Sequence, residues 1–435
     1  MTHVTIPANS SAASSPTFAE AVRIWAKIGI LSFGGPTAQI ALMHRVIVDE
    51  NKWLNENQFL NALGFCMLLP GPEAMQLATY SGWRLHGLKG GLAAGLLFVL
   101  PGAGVVLALA ALYAFLGSVP FVNALFLGIK AAVLVIVVEA LLRVSRRALQ
   151  SMEHWIIAAL AFVGLFLFNL PFPLIVIAAA LFGFVRGTAS DGEVAEPVRH
   201  GHTFTQTLRT IIVWLGIWWV PLILVGLVAS DSVLPQIGFF FSKLAVVTFG
   251  GAYAVLAYMA QDVVNQFGWL TAGEMMDGLG LAETTPGPLI LVTEFVGFLA
   301  AFRDGGLALG LAGAVVTLWV TFVPCFLWIF AGAPYIDWIG AQPRLKGALA
   351  AITAAVVGVI LNLSVWFALH VFFAQVSAEK FGPVTLWIPD FSTLDWKIIV
   401  LSILSAALLF GRHWPLWKML LVASLTGAAL SYAVS

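Results

Sequence analysis

The sequence has few charged residues. Its 435 residues include 21 Lys and Arg and 21 Asp and Glu, so 10% of the chain is charged, against about 25% in a soluble domain. Hydrophobic residues make up 60%, more than one water-soluble core buries, because single cores stop growing near about 250–300 residues. The formal net charge is zero. This composition nearly excludes a soluble globular enzyme, and nothing in it indicates a nucleic-acid partner. Recurrent apolar segments indicate an all-α polytopic membrane protein in a lipid bilayer.

Cysteines and catalytic motifs are also scarce. Cys66 and Cys325 each stand alone in an apolar segment, so neither a disulfide framework nor a metal site is indicated. His200 and His202 lie in a polar stretch that is typical of a solvated loop. The patterns HExxH, GxSxG, GxGxxG and the P-loop are absent. We therefore expect no enzyme activity, no metal and no cofactor.

Apolar segments long enough to cross a bilayer recur along the chain. About 20 apolar residues span the hydrocarbon core as a helix, and thirteen segments approach this length. The first 19 residues lack the apolar stretch of a signal peptide, and Lys and Arg in the loops favour a cytoplasmic N-terminus. The thirteen candidates are 20–48, 59–82, 88–116, 120–142, 154–168, 170–186, 209–228, 235–260, 276–300, 306–332, 345–373, 396–411 and 416–433.

The chain is a tandem duplication. A shift of 216 residues places KIGILSFGG at 27–35 over KLAVVTFGG at 243–251, and Pro70-Gly71-Pro72 over Pro286-Gly287-Pro288. A shift of 215 places Gly90-Gly91 over Gly305-Gly306. If the linker helix near 209–228 spans, the two repeats are inverted, as in many secondary transporters; otherwise they are parallel. The predicted domains are a tail (1–19), a first repeat (20–186), a loop with the linker helix (187–234) and a second repeat (235–435).

Each repeat contains two helix breaks. In Pro70-Gly71-Pro72 the prolines end one helix and start another, which leaves the N–H groups of residues 73–75 without helical partners. Such groups survive in a membrane only inside protein or a water-filled cavity, and an anion is a natural partner for them. Pro286-Gly287-Pro288 repeats this break, with the Thr284 and Thr285 hydroxyls just before it. The other pair is Phe33-Gly34-Gly35-Pro36 and Phe249-Gly250-Gly251. We expect the four breaks to converge as two crossed pairs around a small oxyanion.

Several charges lie inside the apolar segments, where each costs a few kcal/mol. Lys27 and Lys243 occupy equivalent positions and either attract an anion or extend to the interface. Glu73 either caps its own helix or couples transport to protons. The comparable candidates are Glu283, Glu294, Lys130 and Glu139. A lone Gly-Pro break, by contrast, is more often a kink, and Gly87, Gly91 and Gly95 favour plain helix packing.

The motifs FGGP, LLPGP and GWRLHGLKGG, with WL after a polar loop and a downstream LPG, resemble the chromate ion transporter family in its long-chain, two-domain form. The resemblance implies an inner-membrane protein that exports chromate and confers chromate resistance. Gln39 stands where the family pattern FGGPxAH has histidine. A sulfate or other small-oxyanion carrier, a non-transporting scaffold subunit and a homo-oligomer remain open. The residues that the family motifs imply as substrate-binding are Gly34, Gly35, Pro36, Pro70, Gly71, Pro72, Gly250, Gly251, Pro286, Gly287 and Pro288.

Overall fold

The fold was analysed in a computed structural model that describes residues 16–117, 119–187, 204–249 and 252–433. The described chain is almost entirely helical, as expected. In the first repeat the helices are α1 (Phe18–Leu31), α2 (Gly35–His44, extended by a π-helical turn, Arg45–Glu50), α3 (Glu56–Leu68), α4 (Glu73–Leu116), α5 (Pro120–Ala148), α6 (Met152–Phe166) and α7 (Phe172–Arg186). The linker helix is α8 (Phe204–Val228).

The second repeat follows the same order. It contains α9 (Leu234–Val247), α10 (Ala252–Gln261, extended by the π-helical turn Asp262–Gln266), α11 (Ala272–Thr284), a 3₁₀ turn (Leu289–Leu291) that leads into α12 (Val292–Gly332), α13 (Ile336–Ala341), α14 (Pro343–Phe372), the strands β1 (Val376–Phe381) and β2 (Val384–Pro389), α15 (Trp396–Ala406) and α16 (Leu416–Ala433). A shift of 216 residues carries α1 onto α9 and α3 onto α11 with the same bounds. From Pro120 and Pro343 onward the shift is 223.

The two longest helices each reverse direction. In α4 the backbone leaves helical angles at His86 and Gly87, and a Cβ added to Gly82 would lie 2.3 Å from the carbonyl oxygen of Gly90. Residues 73–85 and 88–116 are therefore two antiparallel arms. α12 reverses in the same way at Gly305 and Gly306. The pairing of Gly305-Gly306 with Gly90-Gly91 was therefore wrong: their structural counterparts are His86 and Gly87, because the second hairpin has longer arms.

The glycines beyond the first reversal allow close helix packing. Gly91 faces the ring of Phe330, and Gly95 faces Phe326 and the hydroxyl of Thr79. A side chain at either position would collide with these neighbours, since an added Cβ would lie 2.5–2.6 Å from the nearest atom. Gly91 and Gly95 therefore pack helices together, as predicted, whereas Gly87 forms the reversal with a positive φ of 59°.

The helix breaks are the tips of re-entrant hairpins. The rings of Trp25 and Trp53, on the two sides of the FGG break, lie 5.8 Å apart, and those of Phe65 and Tyr80, across the PGP break, lie 6.4 Å apart. In the second repeat Arg303 bonds to the carbonyl oxygen of Trp269, so the two ends of that hairpin also meet. Each arm of 10–14 residues is about 15–21 Å long, which is too short to cross about 30 Å of hydrocarbon.

This geometry corrects four of the thirteen candidate spans. Segments 20–48, 59–82, 235–260 and 276–300 have the apolar length of a span, but in each the parts of the chain before and after the central break return to one another. Sequence length alone does not distinguish a broken span from a hairpin, because both bury the same number of apolar residues. Six helices of the described chain are long and apolar enough to cross a membrane: 73–116, 120–148, 205–228, 289–335, 343–372 and 416–433.

The hairpins of the two repeats enter from opposite faces. The ring of Phe18 lies 5.6 Å from that of His86, so α1 begins beside the reversal of α4; we call this side the near face. The long arm of α4 then runs to Phe115, whose ring lies 5.3 Å from Phe302, just before the reversal of α12. The hairpins of the second repeat therefore start at the other side, the far face. The repeats are inverted, as expected.

The linker helix accounts for the inversion. Thr207, near the start of α8, shares a 2.8 Å hydrogen bond with Tyr335, and the carbonyl of Ile217 accepts a 3.0 Å bond from the indole of Trp319. The two contacts make α8 antiparallel to the long arm of α12. Because that arm runs from the far face to the near face, α8 crosses once in the opposite direction and delivers the second repeat to the far face.

A β-hairpin between α14 and α15 was not predicted. β1 and β2 pair antiparallel, with Phe381 opposite Val384, and the amide of Thr385 donates a 2.7 Å bond to the carbonyl of Leu167. The hairpin thereby reaches the turn between α6 and α7, which forms a tight helical hairpin as expected. The short alternating run VTLWIP is the signal in the sequence that predicts β2.

The inverted topology makes a labelling prediction. In oriented vesicles, Lys89→Cys and Asp304→Cys, each near the reversal of one repeat, should react with a membrane-impermeant thiol reagent from opposite sides. The native Cys66 and Cys325 are buried, so the unsubstituted chain is the background control. Labelling of both substituted positions from the same side would contradict the inversion.

Candidate functional site

The FGG tip of the first repeat crosses the PGP tip of the second. Ser32 ends α1, and its carbonyl accepts a 2.8 Å hydrogen bond from the backbone N–H of Gly287. Gln39, one turn into α2, donates from Nε2 to the carbonyl oxygens of Gly287 at 2.6 Å and Ser32 at 3.3 Å. A backbone-to-backbone bond therefore joins two loops that are 255 residues apart in the chain.

The reciprocal crossing has the same form. The N–H of Gly71, in the PGP tip of the first repeat, donates a 2.8 Å bond to the carbonyl of Thr248. Thr248 is the repeat counterpart of Ser32, and both hydroxyls donate to the carbonyl four residues earlier in their helix, at 2.6 Å and 2.7 Å. The expected convergence into two crossed pairs is thus observed. A hydroxyl residue at the same position of both repeats, Ser32 and Thr248, is the sequence signal that could have located these crossings.

Glycine is required at the centre of each PGP tip. Gly71 has a φ of 121° and Gly287 a φ of 88°, a region that residues with a Cβ rarely adopt. A Cβ on Gly71 would lie 2.8 Å from the sulfur of Cys325, and one on Gly287 would lie 3.4 Å from the Cα of Gly102. The glycines therefore provide both the turn and the close approach of the two repeats.

Two glutamines support the crossings, and both belong to the first repeat. Gln76 Nε2 donates to the carbonyl oxygen of Pro70 in its own repeat at 2.7 Å, whereas Gln39 donates across the other crossing to Gly287. Because a carbonyl accepts but does not donate, these bonds fix the amide orientation, and each Oε1 is buried without a partner among the described residues. The repeat counterparts are Val255 and Val292. The site is therefore symmetric in backbone and asymmetric in side chains.

Free amide groups lie next to the crossings. At the start of α4 the N–H groups of Glu73, Ala74 and Met75 have no hydrogen-bond partner within the described residues. In the second repeat the Leu291 N–H donates to the carbonyl of Pro288 at 2.9 Å. Only the N–H groups of Leu289 and Ile290 therefore remain without a partner in this turn among the described residues. The N–H groups of Gly71 and Gly287 are used in the crossings, so the donors available to a ligand are those of the first helical turns.

The two PGP tips differ in exposure. Pro70, Pro72 and Glu73 are partly exposed, whereas residues 286–291 are buried. Gly34 and Gly35 form the FGG turn with positive φ, and Pro36 lies in the first turn of α2. Gly250 and Gly251, the expected counterparts of this turn, lie outside the described residues.

Four further candidate side chains make no hydrogen bond to the tips among the described residues. The hydroxyls of Thr284 and Thr285 donate to carbonyls of Leu281 and Ala282, at 2.8 and 3.0 Å, and so cap the end of α11. Lys27 and Lys243 are exposed on α1 and α9, five residues before the tips. The ammonium of Lys243 lies 5.3 Å from the ring centroid of Tyr258.

Ionisable groups form two clusters along α5. Towards the far face, Asp277 Oδ2 accepts a 2.8 Å bond from the hydroxyl of Tyr113 and lies 3.5 Å from the ammonium of Lys130. Towards the near face, Glu139 pairs with Arg143, and the Tyr253 hydroxyl donates a 2.6 Å bond to Glu283. The carboxylate of Glu294 is buried in α12, and both its oxygens lack a partner among the described residues.

Inverted repeats with re-entrant tips that meet in the bilayer define a multi-pass membrane protein of the transporter type. The family model described as "Chromate transporter" matches residues 19–184 and 235–429. The chain therefore belongs to the chromate transporter family.

Relatives of known name align over most of the chain. A chromate transport protein of Pseudomonas aeruginosa is 31% identical over 398 residues, which cover 88% of this chain and 89% of the relative. A probable chromate transport protein of Synechococcus elongatus is 30% identical over 334 residues, 77% of this chain and 80% of the relative. An uncharacterized transporter of Methanocaldococcus jannaschii is 27% identical over 405 residues, 92% and 90% of the two chains. No solved structure matches the chain.

Replacement of Gln39 tests the crossing. Gln39→Leu removes the amide that bonds Gly287 and Ser32, so we expect the free energy of unfolding in detergent to fall by about 1–3 kcal/mol. Thr37→Ala, on the same helix but exposed, is the matched control and should change stability little. Equal stability of Gln39→Leu and the unsubstituted chain would show that these bonds contribute nothing.

Proposed function

We propose that this protein exports chromate across the inner membrane of the cell and thereby confers chromate resistance. Membership of the family supports the proposal, together with relatives named as chromate transport proteins that align over most of their own length. The observation that carries it is the pair of crossings, because these place helix N-termini with free N–H groups at the meeting point of two inverted repeats. Such meeting points hold the substrate in many transporters.

Export agrees with the membrane potential. Chromate is a tetrahedral dianion, and moving one charge across 100 mV is worth about 2.3 kcal/mol. Expelling a dianion from a negative interior therefore gains about 4.6 kcal/mol, which supports about three decades of concentration difference. Uptake of the same ion would require a co-transported cation.

The anion site in this proposal is the first turn of α4 beside the exposed PGP tip. The N–H groups of Glu73, Ala74 and Met75 carry the positive end of the helix dipole, and Pro70 and Pro72 are open enough for an ion to approach. Gln39 and the FGG turn hold the opposite tip in place. In this proposal the carboxylate of Glu73, which makes no cap hydrogen bond to these amides, repels the anion until it is protonated and so couples transport to protons.

Lys27 and Lys243 draw anions towards the hairpins in this scheme. Both side chains are exposed, and neither is paired with a carboxylate in an ion pair within the described residues. The inverted repeats place one lysine on the hairpin that enters from each face. A sulfate carrier is the second candidate, because backbone N–H groups distinguish poorly between tetrahedral dianions of similar shape.

Cellular accumulation tests the transport direction. Cells that express the chain should contain less labelled chromate than cells without it, and they should grow at higher chromate concentrations. Proteoliposomes that contain the purified chain alone should also release chromate under an imposed voltage. Equal accumulation with and without the chain would contradict export, and absence of flux in proteoliposomes would support a scaffold role. Competition by excess sulfate would favour the broader oxyanion carrier.

A pair of substitutions at Glu73 tests the amide site. Glu73→Ala removes the carboxylate and keeps the N–H, whereas Glu73→Pro removes both, and proline is tolerated at the first position of a helix. If the N–H binds the anion, its loss costs about 1.5–3 kcal/mol. We therefore expect half-saturation of transport to require about 10–100 times more chromate in Glu73→Pro than in Glu73→Ala. Identical values in the two variants would exclude this N–H as a ligand.

A further inference from the structure

The interface between α5 and α11, which we call the charged seam, brings together most of the ionisable groups buried within the repeats. Gly280 of α11 allows a close approach, since an added Cβ would lie 2.2 Å from a methyl of Ile129. Lys130 and Asp277 meet at the far end of this contact, 3.5 Å apart. At the near end Arg143 pairs with Glu139, beside Glu283 of α11.

The equivalent interface on the other side of the molecule lacks these charges. The repeat relation places Thr353 and Asn362 of α14 at the positions of Lys130 and Glu139, and it places Asn61 of α3 at the position of Asp277. Between residues 348 and 369 α14 carries no charged side chain. Because each charge inside a membrane costs a few kcal/mol and typically marks an ion pathway, the difference singles out the α5–α11 interface from its repeat counterpart.

A polar cavity opens at the far end of the charged seam. Its volume is about 470 Å³, and it is lined by Lys130, Asp277, Tyr113, Asn123, Glu274 and Arg303. Asp277 is only 3% exposed, and its Oδ1 has no partner among the described residues. The cavity is several times larger than a tetrahedral oxyanion, so a partly hydrated ion fits within it.

The two cations of this cavity are held differently. Arg303 bonds to both Glu274 and the carbonyl of Trp269, so its guanidinium is fixed at the base of the hairpin. Lys130 has three N–H donors and a single, long contact with Asp277. Its side chain is 27% exposed to the cavity. Lys130 is therefore the more loosely held of the two cations and the one that can turn towards a ligand.

We propose that a small tetrahedral oxyanion binds at Lys130 in this cavity and that its route through the protein follows the charged seam. In the empty cavity Asp277 occupies Lys130 and keeps the wall neutral, since Lys130 and Arg303 balance Asp277 and Glu274. An entering anion replaces Asp277 at Lys130, and Asp277 retains the hydroxyl of Tyr113. The inference rests on the proposed function in naming the ion, while the binding site itself is testable without transport.

Binding is tested by protection of an introduced cysteine. Asn123 is exposed in the cavity wall, so Asn123→Cys should react with an impermeant thiol reagent added at the far face. Sulfate, which does not oxidise thiols under these conditions, should slow this labelling several-fold, whereas chloride at equal ionic strength should not. In Asn123→Cys/Lys130→Gln the sulfate effect should disappear. Unaltered labelling in sulfate, or equal protection without Lys130, would overturn the site.

Chromate transport is tested with substitutions at equivalent positions of α5 and α14. Lys130→Gln should lower the initial rate of chromate flux in proteoliposomes at least 10-fold, and Lys130→Arg should restore part of it. Thr353→Ala, at the equivalent position of α14, should stay within 2-fold of the unsubstituted chain. A normal rate in Lys130→Gln, or an equal loss in Thr353→Ala, would overturn the route.

The two experiments separate this inference from the proposed function. If the unsubstituted chain moves no chromate while sulfate still protects Asn123→Cys through Lys130, the proposed export fails and the binding site stands. If the chain moves chromate and Lys130→Gln moves it equally well, export stands and the route along the charged seam fails. Because Lys130→Gln leaves the buried carboxylate of Asp277 unpaired and lowers stability, flux is normalised to the amount of folded protein in each variant, which excludes loss of folding as the cause.

Discussion

Backbone polar groups in the membrane interior need partners, and the architecture depends on how this chain provides them. The PGP and FGG tips end helices in the middle of the bilayer, where unpaired N–H and C=O groups are costly. The two crossings provide some of these partners. The N–H of Gly287 donates to the carbonyl of Ser32, and the N–H of Gly71 donates to the carbonyl of Thr248. Each repeat thereby completes the other, and neither is expected to be stable alone. The amides at the start of α4 remain available, and the proposed anion site uses them.

The inverted duplication creates equivalent positions, and their differences are informative. The backbone crossings, the Ser32 and Thr248 hydroxyls and the positive φ of both tip glycines are shared, which identifies them as the common framework. The glutamines belong to the first repeat alone and the charged seam joins α5 to α11 alone, whereas the equivalent positions hold valine, threonine or asparagine. Symmetric features are thus explained by folding, whereas asymmetric polar features need a functional reason, since the other repeat folds without them.

The sequence predicts the framework well because prolines, glycines and apolar length are local signals. The duplication, the breaks at Pro70-Gly71-Pro72 and Pro286-Gly287-Pro288, and the inversion across α8 all follow from them. The sequence does not predict that the broken segments re-enter on the same side, because a hairpin and a broken span have the same composition. The ring contact between Trp25 and Trp53 shows that the first segment is a hairpin. The partner of Lys130 was equally beyond reach, since Asp277 lies well over 100 residues away and only the packing of α5 on α11 brings the two close.

The position of the charged seam relative to the crossings suggests how binding and access are connected. α11 ends at Thr284, directly before the tip that holds Gly287, so any shift of α11 along α5 moves a crossing as well. Ile129 and Val133 of α5 pack directly against Gly280, so the two helices are in close contact at this point. An anion that draws Lys130 away from Asp277 loosens the far end of the seam, while Arg143 of α5 still lies near Glu283 of α11 at the near end. Opening on one face with the other closed is the requirement of alternating access, and in the proposed transport cycle the charged seam would provide it.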